Sequence, residues 1–200
     1  MATNKRKHEK QGGPSAKKVP PWMEGLKQAM ENPDLKVLET DKAVVIKDKY
    51  PKARHHYLVL PKENISNLKS CQKEHVELLE HIHEIGANLK TRHENSAFRL
   101  GYHAIPSMSQ LHMHVISQDM ISDCMKTKKH YNSFTTDYFV PSETILKMLK
   151  RDGKVDINAK DMKLCLEMNL RCHLCGESQK NIPTLKKHLL LEDSKKNRGK

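Results

Sequence analysis

Residues 107–118 read SMSQLHMHVISQ, and this stretch decides how the chain around it folds. Leu111, Met113 and Val115 alternate in it with His112 and His114, and such alternation is typical of a half-buried strand. Successive side chains of a strand point to opposite faces, so the three apolar residues can face a core. The two histidines then share the other face, about 7 Å apart at about 3.3 Å per residue.

Three interpretations of this histidine pair compete. The two residues can lie on the surface of an edge strand, or they can bind zinc with a third ligand from elsewhere in the chain. They can also serve nucleophilic catalysis, because a neutral imidazole attacks phosphorus near neutral pH. A covalent intermediate then divides one hard displacement into two easier steps.

The surrounding sequence favours nucleophilic catalysis. Residues 110–116, QLHMHVI, resemble the His-φ-His-φ-His-φ-φ signature of the histidine-triad superfamily of nucleotide hydrolases and transferases, where φ is apolar. Blocks at residues 44–61, 99–109 and 114–119, with a Cys-x2-Cys…His finger near the end, resemble the aprataxin family of that superfamily. The resemblance covers residues 21–192, which is most of the chain.

Gln110 stands at the first triad position, where the family has a histidine. An amide can orient a neighbour but cannot carry a proton near neutral pH. If this position supplies a proton, the rate should drop severely, and if it only supports its neighbours, the change is tolerable. We favour the supporting role, because His112 and His114 are the pair that shares the reactive face.

The resemblance implies an α+β fold and a DNA-repair activity. The fold would be a histidine-triad domain, an antiparallel sheet with covering helices, followed by a C2HE zinc finger of C2H2-like type. The reaction would hydrolyse the phosphoanhydride that joins AMP to a DNA 5′-phosphate after an abandoned ligation. The partners would be DNA with 5′-adenylated nicks or ends, with AMP as the product, and the protein would act on DNA as a monomer. We expect no N-terminal FHA domain.

The resemblance also distributes the site residues among three roles. The catalytic residues would be His112 as the nucleophile, with His114, His103 and His56. The nucleotide-binding residues would be Asp48, Lys52, Ser107, Met108 and Gln110, and the DNA-binding residues Trp22, Lys62, Asn64, Ser66, Ile121, Ser122 and Lys128. A carboxylate that accepts two hydrogen bonds suits the ribose hydroxyls, although Asp48 could instead cap a turn. Ser107 offers a hydroxyl and an amide to a phosphate oxygen, although it could be a turn serine.

The composition favours a nucleic-acid partner. The 200 residues suit one domain and a small appendage, and their formal net charge is +12. Such a charge favours a polyanion, the alternative being a merely soluble basic protein. No apolar run approaches the roughly 20 residues of a membrane span, so we expect no membrane partner.

The N-terminal part combines a basic tail with a short helix. Residues 1–19 hold two lysine- and arginine-rich clusters, which predict a disordered tail. The clusters resemble a bipartite nuclear localisation signal, so we expect the protein to be in the nucleus. The tail can equally be a basic arm that binds nucleic acid. Trp22 begins a predicted helix that ends near Glu31 and either packs in the core or stacks on a base at a DNA end.

The remaining pattern predicts an ordered series of elements. Strands are expected at residues 35–38, 43–47, 55–61 and 97–103, and helices at 67–89 and 142–151 with Ser142 as N-cap and Gly153 as the stop. Residues 126–138 read as a loop in which basic and aromatic side chains, Tyr131, Phe134 and Tyr138 among them, contact phosphates and bases.

The C-terminal module predicts a structural zinc site. Cys172, Cys175 and His188 have the spacing of a zinc finger, and Glu192 lies one helical turn after His188. A carboxylate can bind zinc, so we expect Glu192 as the fourth ligand, with Cys165, Asp193 or a water as alternatives. Four protein ligands leave no open position, so the zinc should be structural. The odd count of five cysteines favours a reducing compartment, and no catalytic metal is implied.

The predicted organisation has five parts. They are a tail at residues 1–19, the histidine-triad domain at 20–154, a linker at 155–167, the finger at 168–192 and a basic tail at 193–200. Two other functions remain open: a general nucleotide phosphoramidase or hydrolase of the superfamily, and a weakly catalytic module that binds DNA ends.

Overall fold

A six-stranded antiparallel sheet forms the centre of the computed structural model, which describes residues 25–198. Its strands are β1 (Lys36–Glu39), β2 (Ala43–Lys47), β3 (His56–Pro61), β4 (Phe98–His103), β5 (Met113–Ser117) and β6 (Phe139–Pro141). The helices are α1 (Gly25–Glu31), α2 (Val76–Thr91), α3 (Lys128–Thr135), α4 (Ser142–Asp152), α5 (Ala159–Glu167) and α6 (Ile182–Arg198). The strand order β1-β2-β3-β5-β4-β6 places β5 inside the sheet, and the α+β expectation is confirmed.

One face of the sheet packs against α2 and α4. Met113 and Val115 of β5 are fully buried there with Leu79 and Ile82 of α2, as the alternation predicts. Leu111, which precedes β5, belongs to the same cluster. Burying this apolar surface against the amphipathic α2 is what holds the strand in register, since a one-residue slip would move every side chain to the other face.

The other face is covered at two places and carries histidines between them. At one end α1 packs on Leu58 and Leu60 of β3. At the other end α3 and the C-terminal module pack on Ile116 of β5. His114 pairs with Leu58 across the sheet, and His56 pairs with Ile116, so both histidines lie on this face between the two apolar clusters.

The structure corrects two local predictions. The helix expected at residues 67–89 begins only at Val76, after two short 3-10 turns, because Cys71 and Gln72 adopt extended backbone conformations that interrupt it. The loop expected at residues 126–138 contains α3, which begins after Thr127, whose side chain accepts from the amide N–H of His130. Thr127 is thus an N-cap, a signal that is present in the sequence.

The end of helix α4 agrees with the prediction from the sequence, and its start does not. Pro141 is the N-cap of α4, so the prediction of Ser142 was wrong, and the Ser142 hydroxyl pairs instead with His83 Nδ1 at 2.7 Å. Gly153 does end this helix, in a left-handed conformation with φ of 70°. Residues 155–167 contain the helix α5. Trp22 and the basic tail at residues 1–19 lie outside the described residues.

Within residues 25–198, no helix combines the length and the apolar character needed to cross a membrane.

Gly101 controls the approach of β6 to the centre of the sheet, and replacing it should destabilise the fold. It pairs with His114 on one side and Pro141 on the other. A Cβ there would meet the Val140 carbonyl oxygen and lie 2.7 Å from Phe139 Cε1. We expect Gly101→Ala to cost about 2 kcal/mol of unfolding free energy in urea titrations.

The matched control for this substitution is Gly25→Ala. Among residues 25–198, a Cβ at Gly25 meets only the flexible end of Met108, at 3.3 Å, so its cost should stay below about 0.5 kcal/mol. Equal stabilities of the two variants would contradict the steric account of Gly101.

Candidate active site and zinc site

His112 is held in a single tautomer by the main chain. Its Nδ1 lies 2.8 Å from the carbonyl oxygen of Gln110. Because a carbonyl can only accept, Nδ1 carries the hydrogen and Nε2 keeps its lone pair. Burial lowers the pKa of His112, while the Gln110 carbonyl and the charge of Asp48 oppose that shift. The ring is therefore neutral at physiological pH, with Nε2 available as a nucleophile.

His56 and His114 form a hydrogen-bonded chain beside His112. The main-chain N–H of Lys52 donates to His56 Nδ1 at 3.2 Å, so the other nitrogen of that ring carries the hydrogen. His56 Nε2–H then donates to His114 Nδ1 at 2.9 Å. This leaves a hydrogen on His114 Nε2, which is buried and has no partner among the described residues. A buried unpaired N–H is suited to an oxygen atom of a bound phosphate.

His103 completes the histidine cluster, as we call His56, His103, His112 and His114. Its ring centroid is 4.4 Å from that of His114, and its Nε2 is also buried without a partner in the described part of the chain. The pKa values of His103 and His114 lie well below 6.5, first because of burial and then because of the neighbouring histidines and Lys52. Four neutral imidazoles therefore share one partly apolar site.

Phe134 shapes the histidine cluster, and the sequence interpretation assigned it a different role. Its ring meets His56 and His114 edge to face, with centroids 5.3 Å and 5.1 Å apart, and it lies 4.6 Å from His103. Tyr131, Phe134 and Tyr138 are all buried, which corrects the prediction that these aromatic residues stack on bases. The 3.6-residue spacing within α3 was the signal for an inward-facing stripe.

The residues predicted to bind the nucleotide surround the cluster at different depths. Asp48 Oδ1 accepts from the amide of Tyr50 at 2.7 Å, and its Oδ2 lies 3.4 Å from His56 Nδ1. The carboxylate thus caps a turn and still borders the site. Ser107 is exposed, and Met108 packs against α1. The Lys52 ammonium donates to the Tyr50 carbonyl oxygen.

Gln110 lies deeper than the other residues of this group. It is 2% exposed, and its Nε2 donates to the carbonyl oxygens of Pro61 and Glu63 at 2.7 Å and 2.8 Å. The structure therefore brings Gln110 next to His112 through its main chain and next to the end of β3 through its side chain.

The predicted DNA-binding residues fall on two segments. Lys62, Asn64 and Ser66 are exposed on the segment after β3, where Lys62 Nζ pairs with Glu39 at 2.7 Å. Ile121, Ser122 and Lys128 lie on the segment from the end of β5 to α3. There Lys128 Nζ donates to the Glu167 carbonyl at 2.9 Å, and Ser122 Oγ donates to the Pro51 carbonyl at 2.5 Å.

The finger (residues 168–192) has a donor set that fits zinc. Cys172, Cys175 and His188 place their ligand atoms within 4.8 Å of one another. The amide of Leu174 donates to Cys172 Sγ at 3.4 Å, which suits a thiolate, and the second ring nitrogen of His188 lies 3.5 Å from Glu177. A carboxylate behind a histidine ligand is the usual arrangement in zinc sites.

Glu192 stays a prediction as the fourth zinc ligand. It lies on α6 one turn after His188, and its carboxylate pairs with Lys195 Nζ at 2.7 Å. The ion pair is exposed and weak enough to be exchanged for a metal ion.

The finger is joined to the sheet through His173, which sequence reasoning missed. His173 Nε2–H donates to the Gln118 carbonyl oxygen at 2.8 Å, directly after β5. Its Nδ1 pairs with the Tyr131 hydroxyl at 2.8 Å, and its amide donates to the same hydroxyl at 3.0 Å. Arg54 and Asp193 add an ion pair at 2.6 Å. No spacing rule distinguishes His173 from a surface residue between two cysteines.

Two family models match this chain. One is described as scavenger mRNA decapping enzyme C-term binding and matches residues 22–130. The other is described as a C2HE / C2H2 / C2HC zinc-binding finger and matches residues 135–194.

The chain is also similar to curated aprataxins and to one solved structure of an aprataxin ortholog. Aprataxin of Gallus gallus is 54% identical over 84% of this chain and 54% of its own length, and that of Danio rerio is 53% identical over 84% and 52%. The chain thus spans about half the length of these curated relatives. A crystal structure of aprataxin ortholog Hnt3 in complex with DNA has a TM-score of 0.74 at 24% identity, covering 89% of this chain and 98% of its own, and it supports the fold.

Acid should destabilise the protein through the histidine cluster. Burial lowers the pKa of His56 from 6.5 to about 4, so between these values the unfolded chain binds a proton that the folded chain excludes. The free energy of unfolding therefore falls as the pH drops through this window, by about 1.4 kcal/mol per pH unit for each fully shifted group. Urea titrations at several pH values between 7 and 4.5 give the free energy of unfolding at each pH. This free energy should fall less steeply with decreasing pH in His56→Gln than in the wild type, and an equally steep fall would contradict this cause.

Glu192→Ala should lower the affinity for zinc by at least about tenfold, because it removes the predicted fourth ligand. The measurement is competition with a chromogenic chelator. Lys195→Ala is the control, since it removes only the partner of the carboxylate and should not weaken zinc binding. Equal affinities of Glu192→Ala and the wild type would assign the fourth position to another group.

Proposed function

The chain belongs to the histidine-triad family, on its aprataxin branch, and from this premise we propose that it removes AMP from 5′-adenylated DNA. The product would be a DNA 5′-phosphate that can be ligated again. The observation that supports the proposal best is the fixed tautomer of His112, with Nδ1–H held by a carbonyl and Nε2 free within a buried cluster of neutral histidines.

In the first step His112 Nε2 attacks the phosphorus of AMP. An N–P bond forms as the P–O bond of the anhydride breaks, and the DNA 5′-phosphate leaves with the bonding electrons. A covalent intermediate lets the enzyme release DNA before water is needed. The Gln110 carbonyl stabilises the positive charge that develops on the ring, since it accepts the Nδ1 hydrogen throughout.

The other histidines would stabilise the charge on the phosphate. His114 Nε2–H has no other partner among the described residues, and the tautomer chain through His56 keeps its hydrogen on that nitrogen. A preorganised donor in a site of low polarity stabilises a developing oxyanion strongly. His103 also has a buried ring nitrogen without a partner among the described residues, and it would contact the leaving DNA 5′-phosphate or a second oxygen of the AMP phosphate.

In the second step water attacks the phosphorus of the AMP–His112 adduct and displaces Nε2. The proton lost by the water passes to the solvent, AMP leaves, and the imidazole regains its lone pair. Asp48 would orient the ribose and Ser107 the phosphate, while no step requires a metal ion.

The charge of the chain supports DNA as the carrier of the adenylate. The formal net charge is +12, and basic residues at Lys62 and on the finger are exposed. Phosphate contacts made by such residues would give affinity without sequence preference. Zinc would hold the finger in shape rather than take part in the reaction. We further propose that the protein acts as a monomer in the nucleus.

AMP release from a 5′-adenylated nicked duplex tests the proposal. His112→Ala should reduce the rate by at least about a thousandfold at equal zinc content, because the nucleophile is lost. His81→Ala is the matched control, since His81 lies outside the cluster beside Thr40. Substrate labelled in AMP should also give an acid-labile protein adduct in the wild type and none in His112→Ala.

The other outcomes distinguish the alternatives. Equal AMP release by wild type and His112→Ala would overturn the nucleophile assignment. Hydrolysis of adenosine 5′-phosphoramidate without release from DNA would favour a general phosphoramidase. Binding of the nicked duplex with no hydrolysis of either substrate would favour an end-binding module.

A further inference from the structure

The segment at residues 61–65, called here the β3 exit loop, is attached to the nucleophile segment by three hydrogen bonds. Gln110 Nε2 donates to the carbonyl oxygens of Pro61 at 2.7 Å and Glu63 at 2.8 Å. The amide of Leu111 donates to the Ile65 carbonyl oxygen at 2.6 Å. The carbonyl oxygens of Pro61, Glu63 and Ile65 therefore accept hydrogen bonds from two consecutive residues, and these two lie directly before His112.

We propose that Gln110 is a positioning residue that fixes the β3 exit loop relative to His112 and thereby favours adenylated DNA over small adenylates. This inference rests on the proposed function, because the loop carries Lys62 and Asn64, two of the residues proposed to contact DNA. The side chain of Gln110 would act through the loop, in place of the nucleotide contact expected from the sequence, because both hydrogens of its Nε2 are used on loop carbonyls.

Gln110 contacts both the β3 exit loop and His112. Its φ is 75°, in the left-handed region that residues other than glycine rarely adopt, so surrounding contacts must hold it there. The side chain supplies two such contacts by its bonds to the loop. The main-chain oxygen of the same residue accepts the hydrogen of His112 Nδ1 at 2.8 Å. The side chain thus holds the loop and the main chain orients His112, so removal of the side-chain donors should release the loop while the carbonyl that orients His112 stays in place.

An amide suits this role better than an imidazole. The two hydrogens of one Nε2 reach two carbonyls, whereas a neutral imidazole carries a single N–H. The amide also stays uncharged over the whole physiological pH range. Gln110 Oε1 is buried and has no partner among the described atoms, which is unfavourable by itself. The two-donor nitrogen is thus the part of the side chain that the structure uses.

The loop in turn presents its side chains outward. Lys62 is exposed and pairs with Glu39 at 2.7 Å, and Asn64 is exposed beside it. Exposed pairs of this kind exchange readily for a phosphate of DNA. With its carbonyls held from the inside, the loop would offer these side chains at a constant distance from His112 Nε2.

Kinetics on two substrates test the role of Gln110. Gln110→Met keeps the length of the side chain and removes both donors, while Gln110→His restores one. For a 5′-adenylated nicked duplex, Gln110→Met should raise KM by about tenfold with kcat within about threefold, because two hydrogen bonds to the loop are lost. For adenosine 5′-phosphoramidate, both constants should stay within about threefold, and Gln110→His should be intermediate on the duplex.

Gln118→Met is the matched control. Its Nε2 also donates to a main-chain carbonyl, that of Ile116 at 3.3 Å, and Gln118 lies beyond the strand end remote from the loop. It should leave the ratio of KM values for the two substrates unchanged. A Gln110→Met ratio equal to that of wild type, or an equal loss of kcat on both substrates, would overturn the proposal.

Hydrogen exchange separates this inference from the proposed function. If the wild type releases no AMP from DNA, the proposed function fails, and the attachment of the loop is then judged by the amide of Leu111. Exchange at this amide should be about tenfold faster in Gln110→Met than in wild type. Unchanged exchange would overturn the attachment. If Gln110→Met does not fold, Gln110→His decides by the same two measurements.

Discussion

The hydrogen bond from His112 Nδ1 to the carbonyl oxygen of Gln110 is the constraint on which the site depends. A main-chain carbonyl can neither rotate freely nor titrate, so His112 keeps its tautomer at any pH at which the ring is neutral. A side-chain acceptor such as a carboxylate would orient the ring equally well but would add a charge. In this protein the backbone of Gln110 carries that task, which leaves the side chain of the same residue available for its bonds to the β3 exit loop.

The neutrality of the remaining histidines has a packing origin. The cluster lies between the α1 contacts on β3 and the α3 contacts on β5, and burial is the largest cause of every lowered pKa in it. Phe134 supplies part of this burial by its edge-to-face contacts with His56 and His114. Lys52 adds a positive charge nearby, which disfavours protonation further and also suits an anionic ligand. Burial and the charge of Lys52 thus act in the same direction, and both keep the histidines neutral.

Strand β5 and the finger could be predicted from the sequence because their signals are local spacings of residues. The period of two around His112 and His114 identified the buried face of β5, and the cysteine spacing identified the finger. The roles of Tyr131 and Phe134 could not be found in this way, since a mixture of cations and aromatic residues has the same composition in an exposed loop and in an amphipathic helix. The partners of Gln110 and His173 are carbonyl oxygens of distant segments. Every residue has such an oxygen, so no residue type in the sequence indicates the contact.

The attachment of His173 to Gln118 and Tyr131 affects how the chain can be divided. Leu170, Leu185 and Leu189 of the C-terminal module share one apolar cluster with Ile116, Phe134 and Phe139 of the sheet and α3. A fragment that ended before the finger would expose that cluster to water and leave the Tyr131 hydroxyl without its partner. A recombinant fragment cut at the apparent boundary would therefore tend to aggregate. The chain is best treated as one cooperative unit, in which loss of the proposed zinc ion from the finger would also disturb the histidine cluster.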